Sequence, residues 1–83
     1  MLPTFFRYIT EVTSDNKLQP VLDEYTLNRK GVVLVGTVVK DGDILVSKQK
    51  SQLRVEKNKG GKVMCVNMIN TGDTIVIHIL LQQ

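Results

Sequence analysis

The 83-residue sequence predicts a small, mainly β domain with one short N-terminal helix and two strand–turn–strand repeats. Three observations predict it. From Gly31 onward, β-branched and aliphatic runs alternate with turn-forming clusters at Lys40–Asp43, Asn58–Gly61 and Asn70–Asp73. The final run, Thr74 to Leu81, alternates so that Ile75, Ile77, Ile79 and Leu81 share one face. Only Leu18, Val21, Leu22 and Tyr25 follow the i, i+3, i+4, i+7 spacing of a helical stripe.

Each element follows from its residues. Thr4 to Val12 is rich in Phe, Tyr, Ile and Val and reads as a strand, closed by a turn at Asp15-Asn16. The stripe predicts a helix over 18–29. Pro20 falls in its first turn, where a missing N–H costs little, and Gly31 stops it after Arg29 and Lys30. Val32 to Val39 reads as a strand, with Gly36 marking a bulge or a close backbone approach. Gly42 permits a tight turn before a strand over Ile44–Ser47, and Leu53–Val55 is a short third one. Val63–Ile69 and Thr74–Leu81 read as a hairpin, with Val63/Cys65 or Met64/Val66 facing the isoleucine row. Residues 1–30 thus carry the N-terminal strand and helix, and 31–83 the β domain, within one compact unit.

Composition limits the function classes. Hydrophobic residues are 42% and charged residues 23%, ordinary globular values. With no Trp, two Phe and two Tyr, the core must be mainly aliphatic. The apolar run Ile75–Leu81 is far short of the roughly 20 residues a membrane helix needs, and no signal-like segment opens the chain. One cysteine, Cys65, gives neither a disulfide framework nor a metal-ligand spacing, and suits a reducing compartment.

A shift of thirty residues aligns Gly31–Val46 with Gly61–Val76. Identities fall at Gly31/Gly61, Val33/Val63, Gly42/Gly72, Asp43/Asp73 and Val46/Val76. In each copy glycine supplies a left-handed backbone and the next aspartate can accept hydrogen bonds from turn amides. Gly42, Asp43, Gly72 and Asp73 are therefore expected as matching structural turns, and the two segments as superposable units.

The unit Val-x-x-Gly-Asp-x-Leu-Val resembles the barrel-sandwich hybrid fold. More closely, Leu27-Asn-Arg-Lys-Gly31-Val-Val-Leu-Val-Gly36-Thr-Val-Val39-Lys-Asp-Gly42-Asp43-Ile-Leu45-Val46-Ser-Lys48 resembles the segment before the flap in the beta subunit of bacterial and plastid-type RNA polymerases. Ser51-Gln-Leu53-Arg54-Val55, then Lys59-Gly60-Gly61-Lys62-Val63-Met-Cys-Val66, follow in the family's order, so that the resemblance spans about residues 22–83. Gln49-Lys50 replace the family's Thr-Pro, and only Asn70–Asp73 stands where a flap-tip helix belongs. The resemblance implies a non-catalytic flap-like segment or small subunit on the RNA-exit side of transcription, in the cytoplasm or a plastid. Its partners would be other polymerase subunits or domains, with weak RNA or DNA backbone contact and no membrane. A biotinyl- or lipoyl-carrier module is a more distant resemblance, because no lysine here has the Met-Lys-Met or Asp-Lys-Ala setting. A small structural β-domain in another complex is the third reading.

No residue pattern argues for catalysis, a cofactor or a metal. His78 is a lone strand histidine, Cys65 reads as a small core hydrophobe, and Asp43 and Asp73 each follow a turn glycine. One surface stands out. Lys48, Lys50, Arg54, Lys57, Lys59 and Lys62 face a single acid, Glu56, within fifteen residues. Such cations neutralise phosphates without reading sequence. The aromatics Phe5, Phe6, Tyr8 and Tyr25 lie elsewhere in the chain, so no base-stacking platform is expected.

Overall fold

A computed structural model describes residues 2–82. Its strands are β1 (Phe5–Glu11), β2 (Val38–Val39), β3 (Ile44–Ser47), β4 (Gln52–Arg54), β5 (Gly61–Ile69) and β6 (Thr74–Leu81). They form two antiparallel sheets. One has the order β1-β6-β5-β2; the other is the pair β3-β4. The fold is mainly β, as the residue pattern predicts. No helix among the described residues is long and apolar enough to cross a membrane.

β6 lies at the centre of the packing. Ile75, Ile77 and Ile79 are fully buried, and Leu81 is packed at the edge of the same cluster. Each buried isoleucine contributes about 1.5–3 kcal/mol of apolar transfer. β1 sets Phe6, Tyr8 and Thr10 opposite Ile79, Ile77 and Ile75. On the other side, β5 sets Val63 opposite Ile79 and Val66 opposite Ile77. Strict alternation would not place Val63 and Val66 on one face. A bulge between Val63 and Cys65 inserts an extra residue and reverses the phase. The face expected as Val63/Cys65 or Met64/Val66 is thus built from one member of each pair. Leu45, Val46, Val32, Val39 and Val55 join the same cluster from the segment that carries β2, β3 and β4, so both sheets share one core.

The helix expected over 18–29 does not form. Leu22 and Tyr25 are 86% and 90% exposed, so half of the predicted stripe meets solvent. The segment follows a chain of turns instead. Gln19 N–H donates to the Ser47 carbonyl, and Leu18 is bridged to Lys48, which ties the segment to β3. Asp23 is left-handed (φ 69°). The Asn28 side chain accepts from the N–H groups of Lys30 and Val32, at 2.9 and 3.1 Å. A three-turn helix is marginal alone. Here Asn28 offers the backbone a competing turn, and the Ser47 carbonyl draws off Gln19 N–H.

The strand expected over Val32–Val39 is also broken. Val32 and Val33 form single bridges, to Val46 and Leu27. A turn at Leu34–Thr37 follows, with Gly36 at φ 93° and Thr37 N–H donating to the Leu34 carbonyl at 3.3 Å. Gly36 does mark a bulge: its N–H donates to the Val63 carbonyl at 2.7 Å while Val63 N–H donates to the Thr37 carbonyl at 2.8 Å, so Gly36 and Thr37 together oppose Val63. It is not a close approach, since no atom lies within 4 Å of where its Cβ would stand. Beyond the turn, Val38 and Val39 pair with Lys62 and Gly61 of β5.

Candidate nucleic-acid interface

The six cations from Lys48 to Lys62 leave the chain in different directions, because the segment runs from just past β3 through β4 and a turn into the start of β5. Lys48 is half-buried. Its Nζ donates to Thr10 Oγ1 at 2.6 Å and to the Glu11 carbonyl at 3.0 Å, which ties β3 to β1. Lys50 pairs with Asp15 at 3.0 Å on the open surface. That contact and the Thr13 hydroxyl hold the Asp15 carboxyl below its ordinary pKa. Arg54 donates through Nη1 to the Gly42 carbonyl and through Nη2 to Gln52 Oε1, both at 2.9 Å. Lys59 Nζ sits 5.1 Å from the centroid of the Phe6 ring. Lys57 and Lys62 are exposed and make no side-chain contact of this kind among the described residues.

Most of the predicted basic face is therefore engaged inside the protein. Lys48 and Arg54 act as ties between segments, and Lys59 lies over an aromatic ring. Two exposed cations remain, one on the turn and one on the outer face of β5. They can meet phosphates as point charges but do not form a groove.

Two of the four aromatics, Phe6 and Tyr8, are not remote from this segment, contrary to expectation. Phe6 and Tyr8 stand edge to face, with centroids 4.8 Å apart and planes at 69°, beside the turn Glu56–Lys59. The buried Tyr8 hydroxyl donates to the Lys59 carbonyl at 3.2 Å and accepts from Glu56 N–H at 3.0 Å. Burial is the main reason its pKa is raised. Tyr8 thus fastens β1 to the turn. The sequence signal was present, since Phe6 and Tyr8 alternate on one face. Only the β1–β6 pairing brings that face under residues some fifty positions away. With Lys59 over Phe6 and Tyr8 buried, neither ring offers an open face for base stacking.

The predicted turn residues occupy two turns. At Lys40–Asp43, Asp43 N–H donates to the Lys40 carbonyl and Asp43 Oδ2 accepts from Lys40 N–H, both at 2.9 Å. Asp41 Oδ1 accepts from Asn58 N–H, which docks this turn on the next. At Asn70–Asp73, Asp73 N–H donates to the Asn70 carbonyl at 3.2 Å. Asp43 and Asp73 therefore lie in separate turns at the ends of different strands, with no geometry for shared acid–base work.

An open groove of about 730 Å³ is lined by residues including Glu11, Thr13, Lys17, Asp73 and Thr74. Its charges are mixed in sign and none is buried. Among the described residues, no three His, Cys, Asp or Glu side chains are grouped to hold a metal ion. The half-buried His78 and Cys65 are cross-strand neighbours on β6 and β5, on the face opposite the isoleucine row. The chain matches no protein-family model, and no curated protein is significantly similar to it.

Proposed function

We propose that the chain is a non-catalytic, flap-like β module of a DNA-directed RNA polymerase beta subunit, acting on the RNA-exit side within the cytoplasm or a plastid. One observation carries this reading. The segment that resembles the polymerase family, Leu27–Lys48, contributes six buried residues to the core: Leu27, Val32, Val33, Val39, Leu45 and Val46. The resemblance therefore lies in residues that specify a framework, in keeping with a scaffold role. Its work in the assembly is to hold a β platform against neighbouring subunits and to offer a few phosphate contacts.

Lys57 and Lys62 would make those contacts. Two neutralised phosphates give a slope of log affinity against log salt of roughly −1.4 for a single strand. The test is to tag the chain in the cells that make it and identify what coelutes. Polymerase subunits in stoichiometric amount are the expected result; their absence overturns the reading. RNA binding should be weak and sequence-blind, and Lys57→Ala with Lys62→Ala should flatten its salt slope.

A second reading rests on the turn itself. Lys57 is the second residue of a tight turn closed by Lys59 N–H donating to the Glu56 carbonyl at 3.0 Å, rather than part of a long loop. An exposed turn lysine is what a biotinyl or lipoyl carrier presents. Intact-mass measurement after coexpression with a biotin or lipoate ligase separates the two: an increment lost in Lys57→Arg favours the carrier.

A further inference from the structure

β1 is an edge strand, since it pairs with β6 on one side only. The Thr4 carbonyl accepts from Leu81 N–H, and Val12 N–H donates to the Asp73 carbonyl. Antiparallel pairing alternates, so the even-numbered residues of β1 turn their backbone groups towards β6. The N–H and C=O groups of Phe5, Arg7 and Ile9 point away from it, and no hydrogen bond from them to another element occurs among the described residues. The Glu11 carbonyl points the same way and accepts from Lys48 Nζ, keeping a second lone pair. The side chains of these odd residues share the outer face of the sheet. Phe5 and Ile9 are 55% and 52% exposed there. Open edges of this kind are templates for another strand.

We propose that this edge is occupied by the β1 edge of a second copy of the chain, antiparallel and with Ile9 on the twofold axis. The charges select the partner and the register. A twofold axis at Arg7 would set two guanidiniums opposite each other. An axis at Tyr8 would oppose Arg7 to Ile9 and Phe5 to Glu11. An axis at Ile9 places Arg7 of each copy opposite Glu11 of the other, with the two Ile9 side chains between them. Opposite charges directly across an antiparallel pair are stabilising, and like charges are not. The contact is self-complementary, as a twofold interface requires. It joins the two four-stranded sheets into one and sets Ile9, with Val76 beside it on β6, against its equivalent. This inference does not rest on the polymerase reading.

Sedimentation equilibrium of the full chain tests it. The parent should be in monomer–dimer equilibrium. Arg7→Glu and Glu11→Arg each create two repulsive pairs, and each should weaken self-association by about tenfold or more. An equimolar mixture of the two variants should form heterodimers at parental affinity, because every cross-strand pair is then of opposite charge. The double variant should also regain parental affinity. Both side chains are exposed, so the variants should keep the parent's circular dichroism. A parent that is monomeric at every accessible concentration overturns the proposal. So does a dimer indifferent to the charge swaps, or one weakened by Val38→Lys instead, which would move the contact to the far side of the sheet.

Discussion

Gly31 and Gly61 hold matching places in the two segments related by thirty residues, and they do the same work. A Cβ on Gly31 would run into the Gln19 carbonyl, and one on Gly61 into the Leu80 carbonyl. Both segments then start an antiparallel pair with the strand that follows their turn. In the first, Val33 N–H donates to the Leu45 carbonyl and Ser47 N–H to the Gly31 carbonyl. In the second, the pairing runs from Gly61–Leu81 to Ile69–Thr74, with one bulge between Val63 and Cys65. They part at the sixth residue. Gly36 turns the chain out of its pairing, and Val38–Val39 crosses to the edge of β5. The equivalent residue, Val66, stays in strand opposite Ile77.

The turns differ as well. Asp41 keeps an ordinary negative φ and Gly42 is at 85°, the type II pattern, in a connection between two sheets. Thr71 (φ 56°, ψ 31°) and Gly72 (φ 91°) have type I′ dihedrals, with Asn70 also left-handed (φ 52°), in a four-residue connection between the paired Ile69 and Thr74. The expected superposition of the two units as like strand–turn–strand pairs therefore fails. Identical Gly-Asp dipeptides serve two architectures, one with Gly36 in a turn where the other keeps Val66 in strand.

The largest effect expected tests what the two segments still share. Ile77→Ala and Leu45→Ala should each cost about 2–5 kcal/mol, because both side chains are fully buried in a single core. Urea unfolding measures this. A Leu45→Ala variant close to parental stability would show that the first segment is held independently of the core. Next comes the divergence point. Gly36→Val should cost about 1–2 kcal/mol, from left-handed backbone strain alone, since the site is open. An unchanged melting temperature would mean that the first segment can extend as the second does.

Thr71→Asn should act in the opposite direction. A β-branched residue at positive φ is strained, and Asn-Gly is the preferred type I′ pair, so a gain of about 1 kcal/mol is expected. For a domain of this size, that is a rise of roughly 4–8 °C in Tm. Asp41→Asn, at the negative-φ position of the other turn, should bring no such gain. The smallest effect concerns the tie between β1 and the Glu56–Lys59 turn. Tyr8→Phe should lose about 1 kcal/mol of net hydrogen bonding. The raised Tyr8 pKa means that the folded protein holds the phenol proton more tightly than the unfolded chain. Its contribution is complete below the ordinary tyrosine pKa of about 10 and is lost as pH rises through the raised value. The gap between parent and Tyr8→Phe should therefore narrow above about pH 10.

The residue order by itself determined the β class, the β5–β6 hairpin and the buried row on β6. Alternation and turn chemistry are local, and at Ile75, Ile77 and Ile79 they agree with the packing. Where local signals were ambiguous, the tertiary structure decided. The stripe from Leu18 to Tyr25 was compatible with a helix, but hydrogen bonds to Ser47 and the Asn28 turn drew the segment against β3. The basic run from Lys48 to Lys62 was legible as charge, yet its availability was not. Whether a lysine meets solvent depends on which acceptors and rings lie beside it. Those of Thr10, Glu11, Gly42 and Phe6 arrive only when β1 pairs with β6 and the Gly42 turn folds onto β4. A bulge at Met64 and a positive φ at Gly36 likewise have no periodic signature, because each is fixed by what the backbone must meet across the sheet.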